Sequence, residues 1–263
     1  MKIKIIAVLL GIMVLTGAFA GGSSDTIEVG GSTSVTPLME VLKAEYEKSR
    51  SNVKINISGT GSGDGITNAG VTYHIGMSSR DLTASELGRG LNAVTIAIDG
   101  IAVIVNRNNA VSNLTIQQIR DIYTGAVTNW SQVGGRNATI AVVSREEGSG
   151  TRGAFEEIIG FQGRLLSNAN QLTSTGAILA NVASNQDAIG YISLGSVTDT
   201  VKALSVGGVA ATAANVSRGT YRVARPFIVL TGRNVTSAAT AFIDWIRSPA
   251  GQAIITNRGY ILP

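Results

Sequence analysis

Four short segments of the chain set glycine beside serine or threonine: GGSTSVTP (30–37), GTGSGDGI (59–66), GMSSRDLT (76–83) and REEGSGTR (145–152). Each follows a run that reads as a strand, and at least three lead into a run that reads as a helix. Strand, glycine-rich turn and helix in repeated succession call for an α/β architecture with largely parallel sheets. In such sheets the turns gather at the carboxyl ends of the strands, where ligands bind. Glycine lets a backbone approach a ligand closely, and hydroxyls add donors. The first turn of a helix leaves amide N–H groups unpaired beside a partial positive charge, which suits an oxyanion. Any one of these segments could be a plain helix cap; four in one chain favour a common ligand.

The flanking runs support this alternation. VKINISG (53–59) alternates Val53, Ile55 and Ile57 as a strand does. TPLMEVLKAEYEKSR, just before it, puts Leu38, Val41, Leu42 and Tyr46 on one helical face, with Pro37 in the first turn. Further strands are predicted at 27–31, 74–79, 139–143, 188–192 and 226–231, and further helices at 115–123, 151–159, 175–184 and 236–247. Two longer extended runs, TIAIDGIAVIVN (95–106) and YRVARPFIVLT (221–231), read either as crossings between two lobes or as long buried strands.

Composition excludes several chemistries. MKIKIIAVLLGIMVLTGAFA has the two early lysines, apolar run and small-residue ending of a secretory signal, predicted at 1–20. Its apolar run falls short of the roughly 20 residues that span a bilayer. Losing Lys2 and Lys4 with it lowers the formal net charge of +4 by two, too mild an excess to argue for nucleic acid. The absence of cysteine removes disulfides, thiolate metal sites and a lipid-modified N-terminal cysteine. With one histidine, His74, a histidine metal site or serine–histidine triad has little material, and no metal or cofactor is expected. No Gly-Lys pair exists for a P-loop, and GSGTR lacks the G-x-S-x-G elbow of a hydrolase.

Arg145 stands out among the charges, since its guanidinium can give bidentate bonds to a tetrahedral oxyanion. It could equally pair with Glu146 or Glu147. His74 reads as structural, and Arg80 as a partner of Asp81 or Glu86 in preference to a cleft cation.

Taken in order, GGSTSVTPLMEVLKAEY, GTGSGDGI, IGMSSRDL, IAIDGIAVIVN, LTIQQIRDIYTGAVTNWSQVGG, VVSREEGSGTRGAFEE, AIGYISLG and FIDWIRSPAGQAIITNRGYILP resemble the phosphate-binding protein family of phosphate ABC importers. The resemblance runs from about residue 26 to the C-terminus. It implies a bilobal periplasmic-binding-protein-like fold (type II), two α/β lobes joined by two crossover strands. Residues 26–103 plus 226–263 would form the first lobe and 104–225 the second. Phosphate would be clamped between them by Thr33, Ser34, Ser62, Ser78 and Ser79 on one side and Arg145, Ser149, Gly150 and Thr151 on the other, with Glu147 steadying Arg145. Many members of the family carry an aspartate where Ser79 stands, accepting the proton of hydrogen phosphate; Asp64 or Asp99 could substitute.

The function implied is capture of phosphate outside the cytoplasm and delivery to a membrane permease, without catalysis. The protein would be secreted or held in the cell envelope, a monomer that binds no nucleic acid. Two alternatives stay open: a binding protein for another tetrahedral oxyanion such as sulfate, arsenate or molybdate, and an adhesion or signalling module on the same fold. A secreted phosphate-ester hydrolase is the remaining rival, and no base stands near Ser149 to serve it.

Overall fold

A computed structural model describes residues 25–233 and 235–263, so the leader predicted at 1–20 lies outside the described residues. The chain runs β1 (Asp25–Gly31), α1 (Thr36–Lys48), β2 (Val53–Gly59), α2 (Ser62–Asn68), β3 (Ile75–Ser78), α3 (Ala84–Leu87) and β4 (Asn92–Asn106). It continues through β5 (Asn113–Leu114), α4 (Ile116–Thr124), β6 (Ala141–Arg145), α5 (Gly150–Ile159), β7 (Asn170–Leu172), α6 (Thr175–Ser184) and β8 (Ala188–Ser193). After β9 (Val201–Ala203), β10 (Ser205–Val206) and α7 (Ala213–Ser217) it returns along β11 (Ala224–Thr231) and closes with α8 (Ser237–Arg247) and α9 (Pro249–Asn257).

The main strand order is β2-β1-β3-β11-β4-β8-β6-β7, with β9 also paired to β4. β1 lies parallel to β2 and β3, and β6 parallel to β7 and β8. Between these two half-sheets stand β4 and β11. β4 pairs antiparallel with β11 from Asn92 to Gly100, then antiparallel with β8 from Ile101 to Val105. One strand thus belongs to both half-sheets, and the two long extended runs of the sequence are the crossings. The sheet is mixed instead of largely parallel, because a strand leaving one lobe and a strand returning to it must point in opposite directions.

Each half-sheet has its own core. In the first lobe, Leu38, Leu42 and Tyr46 of α1 pack on Ile27, Val29, Ile55 and Met77, with Phe242 and Ile246 of α8 joining them. In the second, Tyr123, Phe155, Phe161 and Tyr191 form an aromatic cluster beside Trp130. The Phe155 and Tyr191 rings stack with centroids 4.1 Å apart. Phe155 lies one turn beyond Thr151, so this stack fixes where the first turn of α5 points.

α2 was not predicted as a separate helix, and its glycines explain both the miss and the packing. A Cβ on Gly65 would stand 2.6 Å from the Met77 carbonyl oxygen and 2.8 Å from Gly31 Cα. The helix therefore rests backbone to backbone on β1 and β3, which only glycine allows. Gly65→Ala should lower stability by about 1–3 kcal/mol, seen as a lower urea midpoint at unchanged slope; an unaltered midpoint would mean this contact yields freely.

Candidate functional site

The first lobe contributes three turns. After β1, the Ser32 N–H donates to the Met77 carbonyl (3.0 Å), and the Ser32 carbonyl accepts from the N–H groups of Val35 and Thr36. The chain thereby turns into α1, whose N-terminus has no side-chain cap. α2 likewise begins without one, after Gly61 at φ 99°. In the turn after β3, Ser79 is the meeting point: its Oγ accepts from Ser32 Oγ (2.8 Å) and lies 3.3 Å from Ser62 Oγ, to which its own N–H donates (3.1 Å).

The second lobe contributes the end of β6 and the starts of α5 and α6. Tyr191 on β8 shares a hydrogen bond with Ser144 Oγ (2.7 Å) and accepts the Arg145 N–H (3.2 Å). Burial pushes its phenol up to about 12, so it stays neutral. Arg145 is buried. Its Nε and Nη2 donate to both carboxylate oxygens of Glu146 (2.9 and 2.8 Å) and to the carbonyls of Leu172 and Thr173. Ser149 is committed to the helix: its N–H donates to the Glu146 carbonyl and its hydroxyl accepts the Arg152 N–H. Among the described residues, the amides of Gly150 and Thr151 remain as first-turn donors without a backbone partner.

The two sides meet through hydroxyls. Ser34 Oγ lies 2.8 Å from Thr151 Oγ1 and 3.1 Å from Thr175 Oγ1. Thr33 Oγ1 lies 3.2 Å from Thr175 Oγ1 and accepts the Thr175 N–H (3.3 Å). The Gly63 N–H crosses to the Gly148 carbonyl (2.9 Å). Gly150 fits against Ser62 and Ser79, where a Cβ would come within 2.3 and 2.9 Å of their hydroxyl oxygens. Thr33, Ser34, Ser62, Ser79, Gly150 and Thr151 are thus brought together. Sequence reasoning missed Ser32 and Thr175. Thr175 opens α6 after the capping Ser174, a hydroxyl-rich helix start like the four singled out.

Four predicted roles need correction. Glu146 holds Arg145, whereas Glu147 is exposed; the turn closed by Ser149 N–H on the Glu146 carbonyl folds the first acid back over the arginine. Ser78 Oγ donates to the Arg80 carbonyl and accepts the Arg80 N–H, so it shapes the turn behind Ser79. Asp64 accepts from Thr60, Tyr73 and Asn68, and the Thr60 hydroxyl foremost holds its carboxyl below the usual range. Asp99 is buried and accepts from Arg225 and Ser193. Burial pushes its carboxyl up to about 6 against the pull of Arg225. Neither aspartate joins the hydroxyl cluster.

His74 is structural, its Nδ1 accepting the Glu28 N–H (2.9 Å). Arg80 forks onto Glu86 with two 2.8 Å bonds. These bonds, more than any other influence, hold the Glu86 carboxyl down at about 2. A depressed acid stabilises fully above its ordinary value of 4.5 and loses that contribution as pH falls towards 2. The stability gap between wild type and Glu86→Gln should therefore close between pH 5 and pH 2 in urea titrations; a constant gap would show that the pair contributes nothing.

Comparison with known proteins places this arrangement. The family model of the PBP superfamily domain matches residues 17–250. A Clostridium perfringens structure, described as a phosphate ABC transporter substrate-binding protein with bound phosphate, is 45% identical with a TM-score of 0.89, covering 91% of this chain and 100% of its own. An ABC-type phosphate transport receptor from Vibrio cholerae is 38% identical with a TM-score of 0.76 over the same shares. The phosphate-binding protein PstS of Borreliella burgdorferi is 26% identical over 99% of this chain and 98% of its own length. The chain belongs to the PBP superfamily and, within it, to the family of bilobal substrate-binding proteins that serve phosphate ABC transporters.

Proposed function

We propose that the protein captures inorganic phosphate between its lobes and delivers it to an ABC importer. The observation that carries this reading is the hydroxyl cradle, in which Ser34 of one lobe meets Thr151 and Thr175 of the other within 3.1 Å. A tetrahedral oxyanion needs donors on every side. Here Thr33, Ser34, Ser62 and Ser79 would supply hydroxyls from the first lobe, and the amides of Gly150 and Thr151 would close the second. Arg145 would add the charge, through a guanidinium held in place by Glu146. The bound phosphate of the Clostridium perfringens relative supports the same anion here.

As a transporter's substrate-binding protein it is not an enzyme. We take the lobes to be 26–103 with 226–263, and 104–225; the change of partner along β4 supports that division. Closing them would present the loaded form to permease subunits in the membrane. The leader at 1–20 would deliver the chain across the cytoplasmic membrane, where it would act as a monomer in the cell envelope, with no affinity for nucleic acid.

A second reading, another tetrahedral oxyanion, draws on one observation. Near neutral pH phosphate keeps a P–O–H and sulfate does not, so a carboxylate acceptor admits the first and repels the second. Position 79 is serine, and Asp64 and Asp99 are engaged elsewhere. Calorimetric titration of the anion-free protein with phosphate, then sulfate, at pH 6 and pH 8 decides between them. Tight phosphate binding with sulfate ignored supports the first reading, and comparable binding the second. Uptake of neither anion would sink both and favour an adhesion or signalling role.

A further inference from the structure

Behind Ser79 lies a charge pair that the cradle itself does not use. Arg225 on β11 stands directly across the sheet from Asp99 on β4, so the pair joins the two crossing strands. Both side chains are 1% exposed. Arg225 Nε and Nη2 donate to Asp99 Oδ2 (3.4 and 3.2 Å), while Asp99 Oδ1 accepts from Ser193 Oγ at the end of β8 (2.9 Å). On the opposite edge of the guanidinium, Nη1 reaches the Ser79 carbonyl (3.4 Å). A continuous chain of polar contacts therefore runs from the second lobe, through both crossing strands, to the residue on which the cradle's hydroxyls converge.

Burying two full charges costs several kcal/mol per ion, and a well-packed neutral pair is often no less stable. Stability is thus a weak reason for placing an arginine here. Its surroundings give a better one. Burial above all drives Arg225 below the usual arginine range, and the nearby charge of Arg145 adds to that push. Two guanidinium groups that feel one another in a dry interior are relieved by an anion between them. We propose that Arg225 is the second cation of the anion site, a positioning residue that holds the Ser79 main chain and whose charge Asp99 tempers. This rests on the anion-binding reading above. It accounts for a site with no carboxylate among its hydroxyls: the acid is one layer back, turned towards an arginine, where it moderates attraction without touching the ligand.

The test is calorimetric titration of inorganic phosphate into wild type, Arg225→Met, Arg225→Lys, Asp99→Asn and the double variant Arg225→Met with Asp99→Asn. Arg225→Met should bind at least tenfold more weakly, and Arg225→Lys, which keeps the charge but not the fork, should lie between it and wild type. Asp99→Asn releases the full charge of Arg225 and should bind phosphate more tightly than wild type, a sign that mere loosening of the hinge cannot produce. Should Arg225→Met fail to fold around an unpaired Asp99, the double variant buries no charge and carries the comparison; it too should bind at least tenfold more weakly. Wild-type affinity in the double variant, or weaker binding by a folded Asp99→Asn, overturns the proposal and leaves the pair as scaffolding. Wild-type protein that takes up no phosphate overturns the anion-binding reading, and this proposal with it.

Discussion

Replacing Arg145 with alanine should weaken phosphate binding at least tenfold, the loss of a charge-assisted contact in a closed site being worth about 1.5–3 kcal/mol or more. The buried guanidinium is already clamped by Glu146 and by the Leu172 and Thr173 carbonyls, so an incoming anion would find it preorganised. Its removal also leaves Glu146 without its cation beside an anion, which deepens the loss. Arg145→Lys separates the contributions. A lysine keeps the charge but cannot span Glu146, two carbonyls and a ligand together, so its affinity should fall between wild type and alanine. Isothermal titration reads both. Unchanged affinity in Arg145→Ala would place the anion elsewhere.

Gly150→Ala should cost as much by another route. The new methyl would stand 2.3 Å from Ser62 Oγ and 2.9 Å from Ser79 Oγ, both buried. With Gly150 in one lobe and both hydroxyls in the other, as proposed above, the strain of about 1–3 kcal/mol would fall on the closed state. Phosphate affinity should drop about 5- to 150-fold. Meanwhile the melting temperature without ligand should hold or rise slightly, since Gly150 opens α5 and alanine favours the helix over glycine. A variant that loses both stability and binding would show instead that α5 needs the glycine for folding.

How much of this was legible beforehand depended on range. VKINISG and the α6 run were placed at their full observed extents, because period-two and helical patterns are local properties. The gathering of the hydroxyl turns was largely legible too: glycine and hydroxyl residues at strand–helix junctions collect at the carboxyl ends of the strands. Choices between neighbours were not. Adjacent Glu146 and Glu147 are equivalent in composition, and the fold of a single turn decides which covers Arg145. α9, capped by Ser248 and opened by Pro249, was missed because its few apolar residues mark no clear helical face. Thr175 was passed over, since β7 before it is only three residues long and marks no strand–glycine–helix junction. Arg225 and Asp99 lay hidden in two apolar runs far apart in the chain. Their pairing is a product of sheet register, which no window of sequence contains.

That register has a bearing on how the protein is made. β11 lies between β3 and β4, so the first lobe cannot complete its sheet until residues 224–231 have left the ribosome. The second lobe is almost wholly encoded between these moments, its strands ending by Val206. The half that starts the chain is therefore the half that must wait, with the parallel strands β1, β2 and β3 paired early and their antiparallel neighbour arriving last. Late closure of a long-range contact is the slow step expected of such a topology. Synthesis thus delivers the polypeptide in an order that finishes the insert first and lets the tail of the chain, β11 followed by α8 and α9, lock the frame around it.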